Sequence, residues 1–329
     1  MDGWLRAARG IAWTALAGVA GVLIYAEAAP TRPPEGVRAY RDIIYRRAGT
    51  RSPRLDVYVP DSGAAPVSGR PVLVAIHGGG WRGGTKNGYG REIARIARHG
   101  YAVVSVEYVL SGPGRPSWPE NLDDVREAVR WVRRHAADYA IDPTRIAAIG
   151  SSAGGHLAAL LGTNAGGADP GSRVQAVVDL YGPTDLARLY RSPGAVVPLE
   201  TLLGKPPGDA PGLYDDASPV AHASCDAAPT LIIHGEDDDT VPLAQSSALT
   251  DRLRAAGVPA RLIVVPGVGH AFGLEVAGRD LVPEILSFLE VAWARAGRYA
   301  PGDPGGPPIA AHHPNGRGST GLPRAEGGD

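Results

Sequence analysis

Hydrophobic positions along the middle of the chain follow two periods in alternation. Residues 54–60 (Arg-Leu-Asp-Val-Tyr-Val-Pro) alternate as a half-buried strand does. Residues 71–76 (Pro-Val-Leu-Val-Ala-Ile) and 101–106 (Tyr-Ala-Val-Val-Ser-Val) are nearly continuously apolar, the mark of strands covered on both faces. Residues 145–149, 174–180, 230–233 and 260–265 read as four more strands, and 40–45 as another. Between them, Leu122, Val125, Val129, Val132 and Ala136 recur at three- and four-residue spacing, which predicts a helix with one buried face. Helical patterns also cover 153–161 and 243–256, the second closed by Gly257. A last helix carries Leu281, Ile285, Leu286, Leu289 and Trp293. Asp142-Pro143 is expected to break the chain ahead of the strand at 145. This alternation over residues 37–298 predicts an α/β fold, one mostly parallel eight-stranded sheet with helices on both faces. Ligands of such sheets bind at the carboxyl ends of the strands, so the residues that follow each strand are where chemistry is expected.

The two ends depart from this pattern. Arg6 and Arg9 precede an apolar run over residues 10–26, followed by Ala26-Glu27-Ala28, an A-x-A-like cleavage site. Residues 1–29 therefore read as a cleaved signal peptide or an uncleaved membrane anchor, the run being at the short edge for a span. Either predicts an extracytoplasmic catalytic part, secreted or membrane-anchored; a cytoplasmic protein with an apolar N-terminal helix is the third reading. Residues 299–329 hold a Pro/Gly run and almost no bulky apolar residue, so this tail is expected to be disordered. His312 and His313 within it read as a solvated pair rather than a metal site.

Composition narrows the function classes. The 329 residues carry 33 Lys+Arg against 34 Asp+Glu, a net charge of −1, which argues against a nucleic-acid partner. With 44% hydrophobic residues the chain can bury a large core without a staple. The single cysteine, Cys225, excludes an intramolecular disulfide and a Cys-rich zinc site.

Four strand ends carry candidate chemistry. The strand at 145–149 runs into Gly150-Ser151-Ser152-Ala153-Gly154, a G-x-S-x-G match ahead of a helical pattern. Small residues two before and two after the serine permit a turn that lifts Ser152 Oγ clear of the sheet. The strand at 71–76 ends in His77-Gly78-Gly79-Gly80-Trp81. Its backbone can approach a ligand closely, so the N–H groups of Gly79 and Gly80, with that of Ala153, are candidate oxyanion donors. The strand at 230–233 leads into His234-Gly235-Glu236-Asp237-Asp238-Asp239, where a carboxylate can orient a histidine. A solvated turn fits Asp237 and Asp239 better than Asp238, and consecutive acids on a loop point too many ways to cage a metal. The strand at 260–265 leads to Gly267-Val268-Gly269-His270. The chain order Ser152, Asp238, His270 is the one expected of a nucleophile-elbow hydrolase, and His77, His156 and His234 do not fit the base position in that order. His234 is expected to shape its turn.

Together these motifs resemble the α/β-hydrolase family, and within it the bacterial carboxylesterase branch that includes the bifunctional acetyl/feruloyl esterase type, next to the hormone-sensitive-lipase-like esterases. Tyr108, Asp124 and Ser218-Pro219 add weaker support. The resemblance implies a serine hydrolase acting on a small-molecule carboxylic ester through an acyl-enzyme. Ser152 would be the nucleophile, His270 the base, Asp238 its orienting acid, and Gly79, Gly80 and Ala153 the oxyanion hole. No cofactor, metal or nucleic acid is implied, and a membrane is implied only through the N-terminal segment. Rivals are an aryl-formamide hydrolase, a prolyl-oligopeptidase-like serine peptidase, which would not normally carry the His-Gly-Gly-Gly run, and a non-catalytic binding protein of the same fold. Two departures separate the chain from the lipase-like branch: Ser151 stands where those enzymes usually have Asp, and the stretch between Ala28 and Arg54 is too short for their helical cap. The segment 183–228 is expected to cover the pocket instead. With Phe only at 272 and 288 and one Met, the initiator, the chain has few large flexible residues for a deep acyl tunnel, so acetyl to butyryl esters are the expected substrates.

Overall fold

The computed structural model describes residues 35–61, 63–163, 167 and 169–296. The expected N-terminal segment and C-terminal tail lie outside the described residues. Eight strands form one sheet: β1 (Val37–Ile44), β2 (Arg54–Pro60), β3 (Arg70–Ile76), β4 (Ala102–Val106), β5 (Ile141–Ser151), β6 (Ala176–Leu180), β7 (Thr230–Gly235) and β8 (Ala260–Val265). Their order across the sheet is β1-β2-β4-β3-β5-β6-β7-β8. β1 pairs antiparallel with β2 and β2 with β4, whereas β4 through β8 run parallel.

The continuous apolar strands are continuous because both faces are covered. Val72, Val74 and Ile76 of β3 face one core cluster, with Leu122, Val125 and Val129 of α2 (Glu120–Arg134) and Leu157 and Leu160 of α3 (Ala153–Gly162). Leu73 and Ala75 face the opposite cluster, with Ile96 near the end of α1 (Gly90–Ala97) and Ile285 and Leu289 of the last helix (Val282–Ala296). Each such Val, Leu or Ile side chain removed from water contributes about 1.5–3 kcal/mol. The helix Ala244–Ala255 lies over the far end, where Leu249 and Leu253 meet Ile232.

One expectation needs correction. Asp142-Pro143 does not break the chain, because β5 begins at Ile141 and runs through it. The register slips there, with Arg70 opposite Ile141 but Val72 opposite Ile146, and Pro143 falls in that irregularity, where proline is tolerated. Asp142 holds the bulge by accepting from Thr144 N–H at 2.9 Å and Arg145 Nε at 2.6 Å. The segment 183–228, opaque as sequence, contains four short helices: Leu186–Leu189, Val196–Leu203, Pro211–Asp216 and Pro219–His222. Leu186, Leu199, Leu202 and Tyr214 from this lid join Trp81 and Ala153 in one apolar cluster, so the lid sits on the strand-end loops.

Tyr108, Asp124 and Ser218 prove to be struts. The Tyr108 hydroxyl donates to the His77 carbonyl at 2.9 Å. Asp124, fully buried, accepts from Arg46 at 2.6 Å, Arg51 at 2.9 Å and Val109 N–H at 2.9 Å. Ser218 Oγ accepts from Leu186 N–H at 2.9 Å and donates to the Tyr214 carbonyl at 2.6 Å.

Candidate active site

β5 ends at Ser151, α3 begins at Ala153, and Ser152 takes the whole change of direction with φ 53° and ψ −120°. That left-handed φ costs a non-glycine residue energy and persists only where the surroundings over-determine it. Here they do. Ser152 N–H donates to Leu180 O at 2.8 Å, and Ser152 O accepts from His156 N–H at 3.0 Å. The turn is so tight that a Cβ at Gly150 would lie 2.1 Å from Gly154 O, and one at Gly154 1.9 Å from Ile76 O. The glycines of the motif are therefore steric requirements.

The structure brings Ser152, His270 and Asp238 together. Ser152 Oγ lies 2.9 Å from His270 Nε2, and His270 Nδ1 lies 2.7 Å from Asp238 Oδ2. The other carboxylate oxygen accepts from Thr240 N–H at 3.0 Å and Val241 N–H at 2.8 Å. Burial works against the charge on Asp238, but hydrogen bonds from His234, His270 and Val241 N–H outweigh it and hold the carboxyl well below the usual carboxylate range. Asp237 and Asp239 are exposed and Asp238 is buried, which matches the reading of the acidic run.

The loop His77–Trp81 lies against the elbow: a Cβ at Gly78 would stand 3.4 Å from Ser152 Cβ. Gly79 and Gly80 take φ of 117° and 59°. Among the described residues, none accepts a hydrogen bond from the N–H of Gly79 or Gly80. Ala153 opens α3, so its N–H has no intrahelical acceptor either. Three backbone donors are thus unspent around the serine.

The other three histidines are placed as supports. His77 Nδ1–H donates to Gly78 O at 2.8 Å, and its ring stacks on Tyr108 at 4.3 Å. His156 Nε2–H donates to Ala217 O of the lid at 2.7 Å, and its Nδ1 accepts from Trp81 Nε1–H at 3.2 Å. Burial pushes both His77 and His156 down to about 4, so each is neutral near pH 7. His234 Nε2–H donates to Val241 O at 2.7 Å, which is the turn-shaping role expected.

Sequence reasoning missed two neighbours. Tyr181, just past β6 at φ 48°, sets its ring edge-on to His270 at 4.9 Å, and its hydroxyl donates to Phe272 O at 2.7 Å. The rule that found the other sites, inspecting the residue after each strand, would have found it. Asp179, fully buried beneath the elbow, accepts from Gly182 N–H at 2.8 Å, and burial pushes its carboxyl up to about 6. Among the described residues, no group of three or more His, Cys, Asp or Glu could hold a metal ion, and no helix is long and apolar enough to cross a membrane.

A family model, BD-FAE, matches residues 55–253, the stretch from β2 through most of the helix Ala244–Ala255. The chain belongs to the BD-FAE family. It is a carboxylic ester hydrolase of the α/β-hydrolase fold. Among similar proteins, the probable carboxylic ester hydrolase LipM of Mycobacterium tuberculosis is 35% identical over 83% of this chain and 67% of its own length. Esterase LipQ of the same organism is 36% identical over 77% of this chain and 62% of its own. The chain therefore spans about two thirds of the length of these relatives. A truncated carbohydrate esterase from gut microbiota superposes with a TM-score of 0.67 at 29% identity, covering 80% of this chain and 99% of that one. Thermogutta terrifontis esterase 2, phosphonylated by sarin, gives 0.64 at 26% identity over 82% of this chain and 95% of that one. In this BD-FAE member the matched region contains Ser152 and Asp238, while His270 lies beyond it.

Proposed function

We propose that this BD-FAE esterase hydrolyses esters of short carboxylic acids through an acyl-enzyme on Ser152. The observation that carries the reading is the hydrogen-bonded line from Ser152 Oγ through His270 (2.9 Å) to Asp238 (2.7 Å), set beside three unspent backbone N–H groups. His270 Nε2 takes the Ser152 proton as Oγ attacks the ester carbonyl carbon. The carbonyl oxygen, now an anion, accepts from the N–H groups of Gly79, Gly80 and Ala153, each worth on the order of 10²–10³ in turnover. His270 returns the proton to the leaving alcohol, and the acyl group stays on Ser152. Water then attacks with His270 again as base and releases the acid. Asp238 keeps the proton of His270 on Nδ1 throughout.

The short-chain preference has support in the lid. Trp81, Ala153, Leu186, Leu189 and Leu199 are buried against one another, so the apolar surface beside the elbow is consumed by packing rather than left as a groove. A groove would contribute up to about 0.8 kcal/mol per added methylene, close to fourfold; without one, longer chains gain nothing. We expect kcat/KM over p-nitrophenyl esters of two to about twelve carbons to peak at acetyl to butyryl and to fall by octanoyl. A maximum at octanoyl or beyond refutes the preference. The residue 10–26 apolar run supports an extracytoplasmic placement, secreted or anchored, which cell fractionation tests.

A further inference from the structure

Asp238 is shared by two histidines, and the reaction above uses one. His234, at the carboxyl end of β7, is fully buried. Its Nε2 lies 2.7 Å from the Val241 carbonyl oxygen and 3.1 Å from Asp238 Oδ2. A carbonyl oxygen only accepts, so Nε2 carries a proton. That N–H faces the same carboxylate oxygen that receives Nδ1–H of His270 at 2.7 Å. On the far side of the ring, Nδ1 lies 2.6 Å from the hydroxyl of Ser246, itself fully buried. Polar contacts therefore run without a break from Ser152 through His270, Asp238 and His234 to Ser246. Behind the carboxylate, residue types and order mirror those in front of it.

The division of labour on Asp238 gives His234 its part. Oδ1 is fixed by two backbone N–H groups, of Thr240 and Val241. Oδ2 has His234 behind it and His270 before it. Among the described residues, His270 is the other group within hydrogen-bond distance of Oδ2. The Val241 N–H that fixes Oδ1 and the Val241 carbonyl that takes the His234 proton belong to one residue, so a single imidazole pins both the turn and the carboxylate. Asp179 of the neighbouring strand β6 also interacts electrostatically with His234.

We propose that His234, held by Ser246, is a positioning residue of the esterase reaction that fixes the plane of the Asp238 carboxylate from behind. The proposal rests on the triad reading above. No proton leaves His234. Its N–H is given to the Val241 carbonyl and its Nε2 stands 3.1 Å from the Oδ2 that His270 also contacts, so removing the ring has two effects. The carboxylate loses its alignment, which lowers kcat. Its charge is also left to His270 alone, which favours the protonated base and moves the acidic limb of the kcat/KM profile to higher pH.

The experiment uses the full chain and p-nitrophenyl acetate, with thermal unfolding of every variant. Ser152→Ala comes first: full activity there refutes the triad reading itself, and the proposal with it. With Ser152→Ala inactive, His234→Leu is expected to lose about tenfold or more in kcat with KM little changed, the scale of a lost hydrogen bond to a charged group. Its acidic limb should move upward. His234→Gln, whose amide N–H reaches about as far as Nε2, should recover most of that loss. Ser246→Ala should lower kcat about twofold and move the limb the same way by less. A folded His234→Leu with an unmoved limb overturns the proposal, as does a folded His234→Gln no better than a folded His234→Leu. Should His234→Leu fail to fold, Ser246→Ala decides: an unmoved limb with wild-type kcat overturns the proposal, and a moved limb supports it.

Discussion

The strand-end loops and the lid touch each other, yet they are built by opposite means. In the loops each chemical group is fixed by backbone geometry: Ser152 by a steric elbow, and the carboxylate of Asp238 by two backbone N–H groups on one oxygen and two imidazoles within 3.1 Å of the other. The lid is held largely by apolar packing, with Leu186, Leu199, Leu202 and Tyr214 all fully buried. The two regions meet at Trp81 and His156, and loop is joined to lid by hydrogen bonds from His156 to Ala217 O, from Trp118 Nε1 to Asp216, and from the Ser117 and Trp118 N–H groups to Leu202 O. Groups that must be placed to a fraction of an ångström are held by directional bonds. The lid surfaces are held mainly by non-directional packing, which tolerates change at a cost in stability rather than in chemistry.

That contrast can be broken most directly at Ser152. Ser152→Ala should lower ester turnover by about 10⁴-fold or more while leaving the melting temperature within a few degrees, since little packing is lost. Both are read on one preparation, and retention of more than a few per cent of activity refutes the nucleophile. Asp238→Asn should cost on the order of 10⁴ by favouring the wrong tautomer of His270. The exposed Asp237→Asn and Asp239→Asn should stay near wild type, and either being worse than Asp238→Asn overturns the choice of acid. The lid should behave in reverse. Leu199→Ala removes a fully buried side chain and should cost about 2–5 kcal/mol in denaturant unfolding, with turnover of the acetyl ester changed only a few-fold. A large kcat loss at unchanged stability would erase the distinction between the two regions.

The smallest expected effect is a pH dependence of stability. Burial raises the Asp179 carboxyl to about 6 in the folded chain, against about 3.9 unfolded. Below about pH 4 both states are protonated and burial costs no charge; as pH rises through 6 the native state must hold a buried carboxylate, and stability falls. Asp179→Asn cannot ionise. It should therefore gain on wild type by up to about 3 kcal/mol at pH 8 and by nothing near pH 4. Melting curves at the two pH values check this, and an equal difference at both contradicts it. Asp238 works in the opposite sense. Its carboxyl is depressed, so its contribution is present above about pH 4 and is lost as pH falls further.

Much of this molecule was legible without coordinates, and the reason is locality. Eight strands, the double coverage of β3 and β4, and the motif at every active strand end follow from residues adjacent in sequence, whereas β2, whose alternation reads as half-buried, is buried from Leu55 to Val59 because the sheet is covered on both faces there too. The glycines around Ser152 are dictated by contacts within a few residues, together with the neighbouring strand end at Ile76. Even Asp238 could be singled out from four consecutive acids, Glu236 to Asp239, through the His-Gly-x-x-Asp motif that carries the family resemblance. The break expected at Asp142-Pro143 failed because a proline is harmless in a bulge, and only the pairing with β3 creates that bulge. The lid stayed unreadable because its helices are too short for a period to register, and their apolar residues pair with one another and with Trp81 rather than along one stripe. His234 could be read as a turn residue, but its approach to Asp238 appears only once that turn folds back over the strand end. Tyr181 reaches Phe272 across 91 positions of chain. The sequence by itself determined which chemistry could sit at each strand end, because the sterics of a turn are written in neighbouring residues. Tertiary structure alone decided which of those groups meet, because the order of strands across the sheet sets the distances between residues far apart in the chain.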